Sequence, residues 1–259
     1  MTLERAVLER NRTVGLVALD EGTVLTATDL AIMDTLASLA QATYGLLGTG
    51  LWAFSSAQVT LERAVLERNA EIGLNITGEG AALTATDLLV SDTHSWLADG
   101  RAGAATFVWG GATASVERVR ILDNQGYGLR VQGAGSTVRV ADLAIERTME
   151  QTCAVGLCTH MEAGFGLTSV SGATLEVRRF RSIDNAAVGV LVASGSELDL
   201  HEGIVSGNRI GANVQINDYD LGRLQDQVVY VGNDVNSDTT RFELSEAPET
   251  LNVVPPEHP

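Results

Sequence analysis

The chain has 259 residues, of which 45% are hydrophobic, and a formal charge of −16 with all 17 basic residues arginine. Such acidity excludes a nucleic-acid backbone as partner, because phosphate binding needs clustered positive charge. No run of about 18 apolar residues is present to cross a membrane as a helix.

Thr2 to Asn11 reads TLERAVLERN, and the same text returns at Thr60 to Asn69. The offset of 58 residues is kept by LTATDL, found at 25–30 and again at 83–88. A period this long means one structural unit stacked several times. Within it, three phrases recur. The first is Gly plus an apolar residue: Gly15-Leu16, Gly50-Leu51, Gly73-Leu74, Gly128-Leu129, Gly166-Leu167 and Gly189-Val190. The second alternates apolar and polar residues, as in Val24 to Ala27, Leu83 to Ala85, Val138 to Val140 and Leu198 to Leu200. The third is apolar and ends at a polar corner: Leu30 to Asp34, Leu88 to Asp92, Leu143 to Glu146. Alternation over four to six residues is the period of a half-buried strand, not of a helix. Three short strands per turn with no helix between them predict an all-β solenoid of parallel β-helix type.

From Gly50 to Gly73 and from Gly166 to Gly189 the spacing is 23 residues, one compact coil. Other coils are longer, and their extra residues follow Asp34-Thr35, Asp92-Thr93 and Arg147-Thr148. Short and long coils therefore alternate, and inserts at 36–47, 94–103 and 149–163 are expected to project from one edge. Asn11, Asn69, Asn124 and Asn185 each precede a recurring Gly by four residues. Asn tolerates left-handed backbone and bonds neighbouring amides, so these four are predicted to stack as a structural ladder at a tight corner.

The phrase order, the Asn corner and the Gly-rich turns resemble right-handed parallel β-helix repeat proteins of the pectate-lyase-like superfamily. The nearest likeness is to large, repeat-rich secreted or surface bacterial proteins without assigned function. It rests on Met33-Asp34-Thr35, Gly48-Thr49-Gly50-Leu51, Glu9-Arg10-Asn11 and Leu25 to Leu30, and covers about residues 2–217. The resemblance implies a right-handed solenoid of about eight coils over 1–217. The stretch 218–259 then forms a C-terminal cap strand and tail, as a solenoid end requires. It also implies an extracellular or cell-surface setting, although no secretory signal is seen. Met1 enters directly into a mid-coil strand. This predicts upstream coils outside the present sequence and an open N-terminal coil prone to self-association. The superfamily's lyase, hydrolase and epimerase signatures are missing: there is no Gly-His-Gly step beside paired Asp, no Arg-Ile-Lys and no Asp-Pro-His-Asp. Fold alone does not carry function across.

Alternation sends Trp52 and Phe54 outward from one strand and Phe107 and Trp109 outward from another, two coils on. Asn75 lies between them and Arg130 follows. These six residues are the candidate binding centre, either an open surface for a glycan or protein or a satellite cluster covered by the inserts. Cys153 and Cys158 are a disulfide candidate, with two free thiols as the alternative. His94, His160, His201 and His258 fall on different coils and corners, and nothing in their spacing makes an acid–base pair. Asp34, Asp92, Asp123 and Asp184 offer oxygens to calcium. No calcium-binding nonapeptide accompanies them, so corner hydrogen bonds are the plainer reading and no metal or cofactor is assigned. The function expected is a non-catalytic surface module, a scaffold or a binder of glycan or surface protein. The alternative is a polysaccharide lyase, hydrolase or epimerase with an unrecognised site.

Overall fold

The structure, a computed structural model, describes residues 1–37, 48–94, 103–151 and 163–239. Two three-residue strands open it, β1 (Thr2–Glu4) and β2 (Val7–Glu9). Six-residue and ten-residue strands then alternate. They are β3 (Val14–Leu19), β4 (Val24–Met33), β5 (Thr49–Phe54), β6 (Gln58–Glu67), β7 (Ile72–Thr77) and β8 (Ala82–Ser91). The series continues with β9 (Ala104–Trp109), β10 (Thr113–Leu122), β11 (Tyr127–Gln132), β12 (Thr137–Glu146), β13 (Phe165–Val170) and β14 (Thr174–Ile183). It closes with β15 (Val188–Ala193), β16 (Glu197–Ser206), β17 (Ile210–Gln215), β18 (Asp226–Val231) and β19 (Val235–Asp238).

The ten-residue strands form one parallel sheet, in the order β1-β4-β6-β8-β10-β12-β14-β16-β18, with the shorter β1 and β18 at its ends and β2 also on β4. The other six-residue strands and β19 form the second sheet, from β3 to β19. Each strand pairs in parallel with its equivalent one turn of chain later, so the protein is a repeating all-β solenoid, compatible with a parallel β-helix. No α-helix occurs among the described residues.

The ten-residue strand is where two of the sequence phrases fuse. In β8, Leu83 and Ala85 point inward, and so do Leu88 and Val90. Strict alternation cannot give that pattern, because it would place Asp87 inside. The slip is made by Asp87 itself, which adopts left-handed backbone with φ 56°. Register pairing skips it, running from Glu117–Thr86 directly to Val119–Leu88. One residue outside the ladder, present on both paired strands, reverses the facing of everything after it. The same position is left-handed in every ten-residue strand: Asp29, Arg63, Asp87, Arg118, Asp142, Arg179 and Glu202. The core enclosed by the two sheets is aliphatic, with Leu25, Leu51, Leu66, Leu74, Ile121 and Ile145 all almost wholly buried.

A second left-handed residue ends each long strand, and a polar column follows it. Read along the stack, that column is Asn11, Thr35, Asn69, Thr93, Asn124, Thr148, Asn185 and Asn208, so threonines stand between the first four asparagines. Each Asn serves the coil before it. The Thr93 N–H donates to Asn124 Oδ1 at 2.9 Å, and Asn124 Nδ2 donates to the carbonyls of Val90 at 3.1 Å and Leu122 at 2.8 Å. Thr148 N–H donates likewise to Asn185 Oδ1 at 3.1 Å. Asn208 belongs fully to the ladder: its Oδ1 accepts from Asn185 N–H at 2.9 Å, and its own N–H donates to Asn233 at 3.0 Å. Beside this column the backbone has no room for a side chain. A Cβ on Gly73 would stand 2.5 Å from Val90 Cγ1 and 2.7 Å from the Ala105 carbonyl.

Three corners bear the long inserts. The chain leaves the described structure after Ala37, His94 and Gln151 and returns at Gly48, Gly103 and Ala163, at equivalent places in alternate coils. Their mutual contacts lie outside the described residues. Both sheets continue past residue 217. Between β17 and β18 the usual tight turn is replaced by residues 216–225, with a 3-10 turn at Leu221–Leu224. There the Tyr219 hydroxyl donates to the Leu198 carbonyl at 2.8 Å and accepts from the Leu198 N–H at 3.1 Å, satisfying a stretch of β16 that β18 does not reach.

Asn124→Ala removes the partner of a buried N–H and of two carbonyls. It should cost roughly 1–3 kcal/mol, read as a lower midpoint in urea at unchanged m-value. A midpoint equal to the parent's would mean that water replaces the Asn side chain at this corner.

Candidate functional site

The six residues of the candidate binding centre are brought together on the outer face of the short-strand sheet. Trp52, Asn75, Phe107 and Arg130 form one column, and Phe54, Thr77, Trp109 and Gln132 the next. Trp52 and Phe54 rings lie 5.4 Å apart, and Phe107 stacks on Trp109 at 5.7 Å and 15°. Trp109 Nε1 donates to Asn75 Oδ1 at 3.2 Å. The Arg130 guanidinium sits over the rings of Tyr127 at 4.5 Å and Phe107 at 5.2 Å, a cation–π arrangement. Exposure decides what this assembly offers: Trp52 is 7% accessible, Phe107 9%, Arg130 5% and Asn75 0%, while Phe54 and Trp109 are partly buried. Phe107 belongs to a second hydrophobic cluster, with Tyr127, Phe165, Val188 and Leu191, separate from the main core. The short-strand sheet is thus buried on both faces, and its aromatic side presents little surface to a ligand.

The exposed chemistry lies on the other sheet. Its left-handed column carries, in stacking order, Arg5, Asp29, Arg63, Asp87, Arg118, Asp142, Arg179 and Glu202. The sign alternates at every step. Three of the contacts are two-pronged. Arg63 meets Asp29 at 2.6 and 3.2 Å, Arg118 meets Asp87 at 2.7 and 2.9 Å, and Arg179 meets Asp142 at 2.6 and 3.0 Å. At the second left-handed corner Arg68 grips Asp34 at 2.8 and 3.1 Å, and Arg147 grips Asp123. The planar guanidinium fork suits a carboxylate one strand away, which explains why every basic residue here is arginine. In each pair the arginine hydrogen bond holds the aspartate below its ordinary value of 3.8. Asp34 and Asp123, two of the four aspartates that could offer oxygens to calcium, are therefore committed to arginine.

Alongside the first charged column runs an open groove of about 1010 Å³. It crosses seven strands from β6 to β18. One wall is the ladder from Arg63 to Gln227. The floor is the apolar row that follows it, including Leu88, Val119 and Phe180, and the far wall carries Val65, Leu89, Arg120, Arg181 and Ile204. The groove escapes sequence reasoning because it depends on the phase slip at the left-handed residue. Its one textual trace is the charged residue at the centre of TATDLL and LERAVL.

Of the histidines, His201 Nδ1 lies 2.7 Å from Asp226 Oδ2 across adjacent strands, and His94 is exposed. His160, His258, Cys153 and Cys158 lie outside the described residues. No family model matches the chain, and comparisons with curated proteins and with solved structures give no match either.

A carboxyl group whose pKa is lowered by folding stabilises the protein fully above its unfolded pKa, and that stabilisation is lost as the pH falls through the folded value. Stability should therefore be flat from neutrality down to about pH 5, then decline gradually as Asp29, Asp34, Asp87, Asp123 and Asp142 are protonated, by a modest amount because the pairs are solvent-exposed. Urea midpoints measured at intervals from pH 7 to pH 2.5 check this. A decline that begins near pH 6 would assign the acid sensitivity to histidine instead.

Proposed function

We propose that this chain is a non-catalytic module of extracellular or cell-surface type. It would be a right-handed parallel β-helix of about eight coils, related in architecture to the pectate-lyase-like superfamily. Its role is that of an extended scaffold whose long sheet offers a binding surface. The observation that carries this reading is the ladder of arginine–carboxylate pairs that ties neighbouring long strands together. Asp29, Asp34, Asp87, Asp123, Asp142, Glu146, Glu176 and Asp199 are held below their ordinary values, and arginine contacts bring each one down against the opposing pull of burial. Asp29, Asp34, Asp87, Asp123 and Asp142 work as rung-to-rung ties. The acidic surface fits life outside the cell, where high net charge favours solubility. The aromatic face supports glycan binding less well than its composition suggests, because its rings are largely covered.

The test is a panel of neutral glycans and uronans incubated with the full chain at micromolar concentration. Products are followed by reducing ends and by absorbance of unsaturated uronate. No turnover above a heat-denatured control is expected from pH 4 to pH 9, with or without calcium. Sustained cleavage of any one polymer would overturn the proposal and move the protein to the enzymes of this architecture.

A further inference from the structure

The edge of the long-strand sheet formed by β1 and β2 carries groups whose equivalents inside the stack are engaged. Among the described residues β1 and β2 pair with β4 alone, so their other side presents unpaired strand N–H and carbonyl groups. Their text, Thr2 to Asn11, is identical to that of Thr60 to Asn69, which forms β6 and its corner within the stack. The strand before β6 is β4, and three sets of side-chain contacts hold the two together. Arg63 forks onto Asp29, and Arg68 forks onto Asp34. Asn69 Oδ1 accepts from the Thr35 N–H at 3.3 Å, and its Nδ2 donates to the Ile32 carbonyl at 3.4 Å.

The matching groups on the edge lack those contacts. Arg5 is exposed and left-handed like Arg63, and the ladder carboxylate nearest to it, Asp29, is already gripped by Arg63 from the other side. Arg10 is exposed and pairs with Glu9, its own neighbour in the chain, at 3.3 Å. Asn11 Nδ2 is buried without a hydrogen-bond partner, a costly state that a carbonyl one strand away would relieve. Leu3, Ala6 and Leu8, which pack against this end of the core, are only partly buried.

We infer that this edge is a docking site for a partner polypeptide that presents an aspartate-bearing coil. The occupant is a parallel strand with aspartate at its mid-strand left-handed position to meet Arg5, aspartate at the terminal one to meet Arg10, and a following threonine whose N–H meets Asn11. Docking is by strand addition: main-chain bonds hold the partner, and the two ion pairs select it. Val24 to Thr35 is the pattern of the occupant, since it plays this part against the identical text of β6. A second copy of this chain does not supply the pattern. Head-to-tail stacking would bring β18 against β1 and β2, setting Asp226 opposite Glu4, Gln227 opposite Arg5 and Gly232 opposite Arg10. One like-charge contact would then stand where two opposite-charge contacts are needed. An arginine-bearing coil fails in the same way, because it faces Arg5 and Arg10 with their own charge.

The experiment uses the full chain and a fluorescent peptide with the sequence of residues 23–36, TVLTATDLAIMDTL, followed by anisotropy at low salt. Saturable binding is expected for this peptide, and binding at least ten-fold weaker for the same peptide with both aspartates changed to arginine. In the chain, Arg5→Asp combined with Arg10→Asp should invert the preference, because aspartate accepts the left-handed backbone of both positions. Arg120→Asp combined with Arg209→Asp, an equal change of charge at exposed positions away from the edge, should leave the preference as it is in the parent. Thermal melts establish that the variants fold. Equal binding of the two peptides, an unchanged preference after Arg5→Asp and Arg10→Asp, no saturation at millimolar concentration, or oligomers of the chain alone that the aspartate peptide does not disperse would each overturn the inference. Any of these leaves the non-catalytic scaffold standing, because that reading falls only to glycan cleavage.

Discussion

Every residue of this protein's coils has its own equivalent directly above and below it, about one strand spacing or 4.8 Å away. That constraint governs the rest. A position is filled by what can stack on itself or by residues that alternate. Aliphatic side chains and hydrogen-bonding Asn satisfy it by stacking. Charged residues do so at a cost, because like charges facing each other on neighbouring strands are destabilising, and such stacking is confined to places such as Glu176 over Asp199. The left-handed column resolves this by alternating arginine with aspartate, so that each charge has an opposite one on the neighbouring coil. The 58-residue repeat thereby acquires a physical meaning. One coil carries arginine at the mid-strand left-handed position and the next carries a carboxylate, so two coils are needed before the text recurs.

The same two-coil logic orders the polar corner. Coils that end Asp-Thr or Arg-Thr lead into a long insert, and coils that end in Asn lead into a short connection. An Asn side chain on the short coil closes the turn of the coil before it, donating to its carbonyls and accepting from the Thr N–H. The inserts are thus borne on corners that their neighbours hold. Function on such a frame falls either to the inserts or to the outward faces of the sheets. Of the two outward faces, the short-strand one is largely closed and the long-strand one is open.

Much of this is legible in the sequence. Apolar–polar alternation over four to six residues marks the strands, the repeat marks the stacking, and Asn69 and Asn124 mark the corner. What stays hidden has two causes. The first is the phase slip. Asp87 or Arg118 in the middle of a strand reads as an ordinary outward polar residue, and nothing local announces that its backbone is left-handed. Two phrases therefore read as two strands, although backbone pairing runs through both as one bent element. The second is distance along the chain. Arg118 and Asp87 lie 31 residues apart and Arg179 and Asp142 lie 37 apart, because inserts change the coil length between them. An ion pair of that kind becomes visible only once the register is known. Burial of Trp52 and Phe107 is likewise beyond the sequence, since alternation tells which side of a sheet a ring occupies and not what shelters it.

The most direct test of the stacking constraint compares two charge reversals two residues apart on one strand. Arg118→Asp inserts a carboxylate between those of Asp87 and Asp142, making three on successive strands. Aspartate accepts the left-handed backbone, so the change is electrostatic. Arg120→Asp makes the same change of charge between Leu89 and Ala144. The account predicts a lower melting temperature for Arg118→Asp, partly recovered in 1 M sodium chloride, and an unchanged one for Arg120→Asp. Equal melting temperatures for the two variants would contradict it.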